Sequence, residues 1–108
     1  MEQVSPAEAQ RLIAEQGARL IDCREDYEWA EQRIPGAQLV PLSEYEMDPE
    51  SLEEAAITIF QCALGSRSQT AAALYEGVHP NARAINLEGG IAAWVAAGLP
   101  TDSNPQTQ

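Results

Sequence analysis

The chain has 108 residues and a formal net charge of −11, from 17 acidic side chains against six arginines and no lysine. That balance excludes the cationic surface that nucleic acid or an anionic membrane requires, and no apolar run approaches the ~20 residues of a membrane-spanning helix. Two cysteines and one histidine are too few for a disulfide framework, and Cys62, Cys23 and His79 are a poor basis for a four-ligand zinc site.

The length fits one domain, residues 1–100, with a core that needs no covalent staple. Residues 1–6 have neither the basic region nor the apolar core of a secretory signal, so a cytoplasmic location is expected. Ser5-Pro6-Ala7-Glu8 opens a helix, with Ser5 as N-cap, Pro6 in the first turn and Glu8 at the capping-box position. Ala9, Leu12 and Ile13 give it an apolar stripe, and Gly17 ends it. Residues 19–23 read as a short strand and 25–31 as a short polar helix with Tyr27 and Trp29 as partial anchors. Ile34-Pro35-Gly36-Ala37 breaks the pattern, and 38–40 form a third extended segment stopped by Pro41. Asp48-Pro49-Glu50 predicts a helix over 49–55 with Asp48 as its cap.

Residues 57–61 are short, β-branched and apolar and read as a buried strand; 69–76 are rich in Ala and Leu and read as a helix. Val78-His79-Pro80-Asn81 is a turn with His79 in solvent, 83–87 the last strand, and 91–97 a helix ended by Gly98. Residues 101–108 are polar and are expected to form a loose tail. Strands alternating with helices imply a parallel sheet covered on both faces, with its ligand site beyond the C-terminal strand ends.

Cys62 falls at that edge, between a strand and a helix start. The convergent N–H groups of such a loop and the helix dipole make an anion cup, which lowers the pKa of a thiol placed in it. Gly65 permits the turn, and Arg67 is a fixed cation that can reach over the cup. The reading is a nucleophilic Cys62 thiolate cradled by Ala63, Leu64, Gly65, Ser66, Arg67 and Ser68.

Three separated segments resemble one family. Leu20-Ile21-Asp22-Cys23-Arg24-Glu25 with Ile34-Pro35-Gly36-Ala37, then Cys62-Ala63-Leu64-Gly65-Ser66-Arg67-Ser68, then Leu87-Glu88-Gly89-Gly90 with Trp94, Gly98, Leu99 and Pro100, resemble the signatures of rhodanese domains in order and spacing. The resemblance implies an α/β fold with a five-stranded parallel sheet flanked by helices on both faces. It also implies a single-domain sulfurtransferase without cofactor or metal, in which the cysteine becomes a persulfide and the loop amides hold its terminal sulfur. The implied partners are a small donor, thiosulfate or a thiol persulfide, and a thiol or cyanide acceptor; a sulfur-accepting protein is a further partner, and the chain is expected to be a monomer. Asp22 and Arg24 are expected to support the loop, and Trp94 to lie in the core.

The chain departs from the family at Gln32-Arg33, where Gly-His is common, and at Cys23, where an aliphatic residue is usual. Cys23 reads either as a small buried hydrophobe or as a thiol that pairs with Cys62 on oxidation. Ala63 and Leu64 replace the basic residues of thiosulfate-using members, so thiosulfate is expected to be a poor donor. Two other uses of the loop stay open: a non-turnover sulfur-carrier or redox-sensing module serving a protein partner, and cysteine-dependent phosphatase or arsenate-reductase chemistry. The phosphatase loop requires an arginine six positions after the cysteine, where this chain has Ser68.

Overall fold

The apolar runs that read as strands assemble into one parallel sheet in the computed structural model, which describes residues 1–103. In chain order the elements are β1 (Glu2–Val4), α1 (Pro6–Gln16), β2 (Arg19–Asp22), α2 (Asp26–Glu31), β3 (Gln38–Leu39), α3 (Leu42–Tyr45), a single 3₁₀ turn at Pro49–Ser51, β4 (Ile57–Gln61), α4 (Arg67–Val78), β5 (Arg83–Leu87) and α5 (Gly90–Ala96). The five strands lie in the order β1-β5-β4-β2-β3 and all pair in parallel. This is the α/β architecture expected from the sequence.

A parallel sheet buries both faces, and the side chains of β4 divide accordingly. Ile59 joins Leu20, Ile85 and Leu87 in a core closed by Ala9 and Leu12 of α1 and Ile91 and Trp94 of α5. Phe60 joins Ile21, Cys23 and Ala84 in a second core closed by Tyr45 of α3 and Ala71, Ala72 and Tyr75 of α4. Burying an aliphatic side chain of this kind contributes about 1.5–3 kcal/mol. Trp94 is core, as expected, with its indole N–H donating to the Pro100 carbonyl at 2.8 Å.

At α1 the Ser5 cap and the Gly17 stop follow the sequence, whereas the Glu8 carboxylate binds Arg11 instead of closing a capping box. Ser5 Oγ accepts the Glu8 N–H at 3.2 Å, and Gly17 ends the helix in the left-handed region at φ 66°.

Three elements differ from expectation. Glu2–Val4 forms the fifth strand through pairing with β5; three residues with a polar start carry too little periodicity to announce it. The helix expected over 49–55 is one 3₁₀ turn, and Asp48 makes no capping bond. Of residues 49–55 only Leu52 is buried, so a longer helix would have no apolar face to cover. The helix forms earlier instead, at Leu42–Tyr45, where Tyr45 enters the core. His79 is not solvated: its side chain is only 17% exposed. Its Nε2 lies 2.9 Å from the Leu52 carbonyl, and its ring packs on Tyr75 at 4.8 Å between centroids.

At the C-terminal end, Arg33 and Asp102 exchange backbone hydrogen bonds of 2.8 Å and Gln32 donates to Thr101 Oγ1 at 3.0 Å, so the first residues of the expected tail are tied to the domain. Residues 104–108 of that tail lie outside the described residues. Among the described residues no helix is long and apolar enough to cross a membrane.

β2 leads outward to β3 on one side, and β4 leads to β5 on the other. The order therefore reverses between β2 and β4, and a crevice opens beyond their C-terminal ends. Asp22 is in register with Gln61, so Asp22-Cys23-Arg24 and the Cys62 loop leave the sheet side by side.

Candidate active site

Cys62 follows β4 directly, and α4 begins at Arg67. The loop is thus shorter than the sequence indicated, with Arg67 and Ser68 already in the first helical turn. The thiol is 1% exposed and points into this turn. Its Sγ receives the Gly65 N–H at 3.1 Å and the Ser68 N–H at 3.4 Å, and lies 3.3 Å from Ser68 Oγ. Burial is the largest single influence on the thiol and opposes its ionisation. The Ser68 hydroxyl and the amides of Ser68, Gly65 and Leu64 together outweigh it, so the pKa falls below the ordinary cysteine value.

The Leu64 amide turns toward the sulfur because α5 holds the carbonyls of the preceding loop peptides. The Ile91 N–H donates to the Cys62 carbonyl at 2.9 Å and the Ala92 N–H to the Ala63 carbonyl at 3.2 Å. In a trans peptide the N–H opposes the C=O, so the N–H groups of Ala63 and Leu64 turn away from α5. This contact requires Gly90, where a Cβ would overlap the Cys62 carbonyl oxygen and lie 2.6 Å from that of Ala63. Gly65, at φ 101°, packs against Gly89, whose nitrogen would be 3.2 Å from an added Cβ.

A second brace comes from β5. Ser68 Oγ also lies 2.5 Å from Asn86 Oδ1, so its single hydroxyl proton is shared between that oxygen and the Cys62 sulfur. Asn86 Nδ2 donates to the carbonyl of Gly65 at 3.2 Å and to Gln3 Oε1 at 3.2 Å. The side chain of Asn86 is fully buried with both polar atoms partnered, and it fixes the start of α4 to the turn of the loop.

The remaining expected residues separate into two groups. Ala63 is half-buried, whereas Leu64 is 74% exposed and Ser66 is exposed at the rim. Asp22 and Arg24 support rather than enter the cup. The Asp22 carboxylate accepts the Arg24 N–H at 3.0 Å and its guanidinium at 2.8–3.2 Å, and Arg24 Nη2 also donates to the Gln32 carbonyl at 2.6 Å. Removing one partner of such a buried pair costs about 3–5 kcal/mol.

Arg67 is bound laterally. Its two Nη groups donate to the two carboxylate oxygens of Glu28 at 2.8 and 3.0 Å. This pairing raises the pKa of Arg67 and lowers that of Glu28 to about 2. Cys23 is fully buried, and its thiol pKa is raised, first by burial and then by Asp22 and Cys62.

Glu28, Asn86 and Gly90 were not identified from sequence as parts of the site. Asn86 left a signal as a polar side chain inside an apolar strand, and Gly90 as the end of the Leu87-Glu88-Gly89-Gly90 segment. An apolar concavity of about 190 Å³ between Ile13, Ile34 and Trp94 includes none of the loop residues, so the cup at Cys62 is the candidate site.

Comparison with known proteins gives a consistent assignment. Residues 5–97 match the model of the rhodanese-like domain. The chain is 33% identical over 92 residues to a protein named sulfurtransferase from Allochromatium vinosum, covering 85% of each. It is 34% identical over 105 residues to the protein slr1261 of Synechocystis, covering 91% of this chain but only 54% of that protein's length. In structure it superposes on a rhodanese-related protein of Thermoplasma volcanium with a TM-score of 0.83 at 24% identity, covering 94% of this chain and 98% of that one, which shows a shared fold. By the span of the family match and the identity to the Allochromatium protein, the chain belongs to the rhodanese-like domain family.

Proposed function

We propose that this protein is a sulfurtransferase that moves a sulfane sulfur from thiosulfate or a thiol persulfide to a thiol or cyanide through a persulfide on Cys62. The observation that carries this reading is the convergence of the Gly65 and Ser68 amides and the Ser68 hydroxyl on Cys62 Sγ within 3.1–3.4 Å. The thiolate attacks the outer sulfur of the donor. A bond forms from Sγ to that sulfur, the donor's S–S bond breaks, and its electron pair leaves on the thiolate, or on sulfite when thiosulfate is the donor. Cyanide or an acceptor thiolate then attacks the bound sulfur, and Cys62 is restored as the thiolate.

No general base is needed, because the cup favours the anion before the donor arrives. The names of relatives such as the Allochromatium sulfurtransferase support sulfur as the transferred group. The proposal includes a monomeric protein working in the cytoplasm.

The test is intact mass after incubation with each donor, followed by cyanide. The wild-type protein is expected to gain one sulfur atom and lose it as thiocyanate. Cys62→Ser is expected to gain none while keeping its fold, and thiocyanate formation by that variant at the wild-type rate would overturn the assignment. A persulfide that forms but does not turn over with small acceptors would favour the sulfur-carrier reading.

A further inference from the structure

In the first turn of α4, directly after the Cys62 loop, the pairing of Arg67 with Glu28 bears on the choice of donor. Glu28 sits at the third position of α2, where its Oε1 accepts the Glu25 N–H at 3.0 Å and completes a capping box. The carboxylate is therefore anchored before Arg67 reaches it, and both guanidinium nitrogens that face it are engaged. The pair is partly shielded, with Arg67 36% and Glu28 20% exposed.

Among the described residues no other cation substitutes for Arg67. Arg24 is turned inward onto Asp22 and Gln32. Arg33 lies over the Trp29 ring and donates to the Trp29 carbonyl. Arg11 and Arg83 pair with Glu8 and Glu2, and Arg19 donates to Thr58 and Tyr75 from the start of β2, at the opposite edge of the sheet. The helix that carries Glu28 contributes three more carboxylates, Asp26, Glu31 and the flanking Glu25.

We propose that Glu28 is a specificity-determining residue: by holding Arg67 it withholds the one cation able to receive a dianion, and so selects thiol persulfides over thiosulfate. This inference rests on the sulfurtransferase reading of Cys62. Thiosulfate brings two negative charges to the mouth and leaves as the sulfite dianion. To gain Arg67 it must displace Glu28, which then stands as a partly shielded carboxylate beside the incoming dianion. A thiol persulfide presents the same outer sulfur on a carbon chain and makes no such demand. Its displacement releases an ordinary thiolate.

Glu28→Gln removes the charge while leaving an amide oxygen to cap α2. It is expected to raise kcat/KM for thiosulfate about ten- to a hundredfold, the range of one charged contact, through KM. With the persulfide of 2-mercaptoethanol, which carries no charge besides the reacting group, kcat/KM should change far less, so that the preference between the two donors shifts toward thiosulfate by about tenfold or more. Adding Arg67→Gln to Glu28→Gln should cancel the thiosulfate gain, because the gain comes from the released guanidinium.

The wild-type protein supplies a second measurement that needs no variant. With Arg67 neutralised and the net charge negative, salt should screen repulsion and lower the thiosulfate KM; in Glu28→Gln salt should raise it. An unchanged thiosulfate KM in Glu28→Gln, or a wild-type KM that rises with salt, would overturn the role of Glu28 while persulfide turnover stood. Failure of Cys62 to take sulfur from either donor would instead overturn the sulfurtransferase reading, and the inference with it.

Discussion

Gly90 and Cys62 are in backbone contact: the Ile91 amide that follows Gly90 binds the Cys62 carbonyl at 2.9 Å, and a Cβ on Gly90 would overlap that same oxygen. The first turn of α5 is thus the outer wall of the cup. Its hydrogen bonds orient the first two peptides of the loop, the second of which carries the Leu64 N–H that acts on the thiol.

Gly90→Ala is expected to fail on two grounds, the overlap and a φ of 61° that side chains rarely adopt. The loop must move or the helix must retreat, at a cost of about 3 kcal/mol or more. Thermal melting should show the loss. The surviving folded protein should also show a less acidic Cys62, read as a shift of the alkylation profile to higher pH. A variant with wild-type melting and wild-type thiol reactivity would show that the α5 contact does not shape the cup.

Ser68 contributes to Cys62 through both its amide and its hydroxyl. Ser68→Ala keeps the amide and removes the hydroxyl, so the thiol pKa should rise toward the ordinary cysteine value. The rate of alkylation by iodoacetamide against pH should show its midpoint move upward. Linkage gives the matching stability change. A thiol whose pKa is lower in the folded chain contributes stability that is complete above the unfolded cysteine value and is lost as pH falls through the folded value. Ser68→Ala should diminish that contribution, so the wild-type advantage over the variant should be greater on the alkaline side than at acidic pH.

Cys23 occupies the core beneath α4 together with Ile21, Tyr45 and Phe60, and its raised thiol pKa removes the thiolate that oxidation needs. Native protein at neutral pH should therefore alkylate at Cys62 and not at Cys23. Cys23→Ala should keep its turnover. Peptide mapping under non-reducing conditions after mild peroxide should find no Cys23–Cys62 link; recovery of that link would restore a redox role for Cys23. The sign of the pH effect is opposite to that of Cys62: the raised thiol costs stability as pH rises above the unfolded cysteine value.

The parts of the fold that were legible in the sequence are those in which local pattern and tertiary burial agree. The strand at Ile57–Gln61, the Ser5 cap and the Gly17 stop are of this kind. β1 was not legible, because its strand character comes from Leu87, Ile85 and Asn86 across the sheet rather than from its own three residues. The false helix after Asp48 shows the converse, a good start signal with no apolar face to bury.

The site divides in the same way. Cys62 and its turn are contiguous and were readable. Glu28 reaches Arg67 across 39 residues of sequence and Asn86 reaches Ser68 across 18, and no local pattern encodes either contact. Arg67 itself was identified, but the carboxylate that occupies it was not.

Leu64 offers a direct test of how the rim selects its donor. It is 74% exposed beside the cup, whereas Ala63 is half-buried with its carbonyl held by Ala92. Of the two positions that lack a cation, Leu64 is therefore the better place for a long charged side chain, which can reach the mouth while the loop backbone stays in place. Leu64→Arg adds a guanidinium with no carboxylate already bound to it, so it should receive thiosulfate without displacing Glu28. The expected result is a thiosulfate KM lower by about tenfold at low salt, the lower range of one charged contact. The gain should shrink as ionic strength rises, because the new charge is exposed. The kcat should change little, since the added contact binds donor and transition state alike. Ala63→Arg should give a smaller gain, because the half-buried position restricts the side chain. Steady-state thiocyanate formation at two salt concentrations decides the matter. A Leu64→Arg protein with normal melting and an unchanged thiosulfate KM would show that charge at the rim does not govern which donor reaches Cys62.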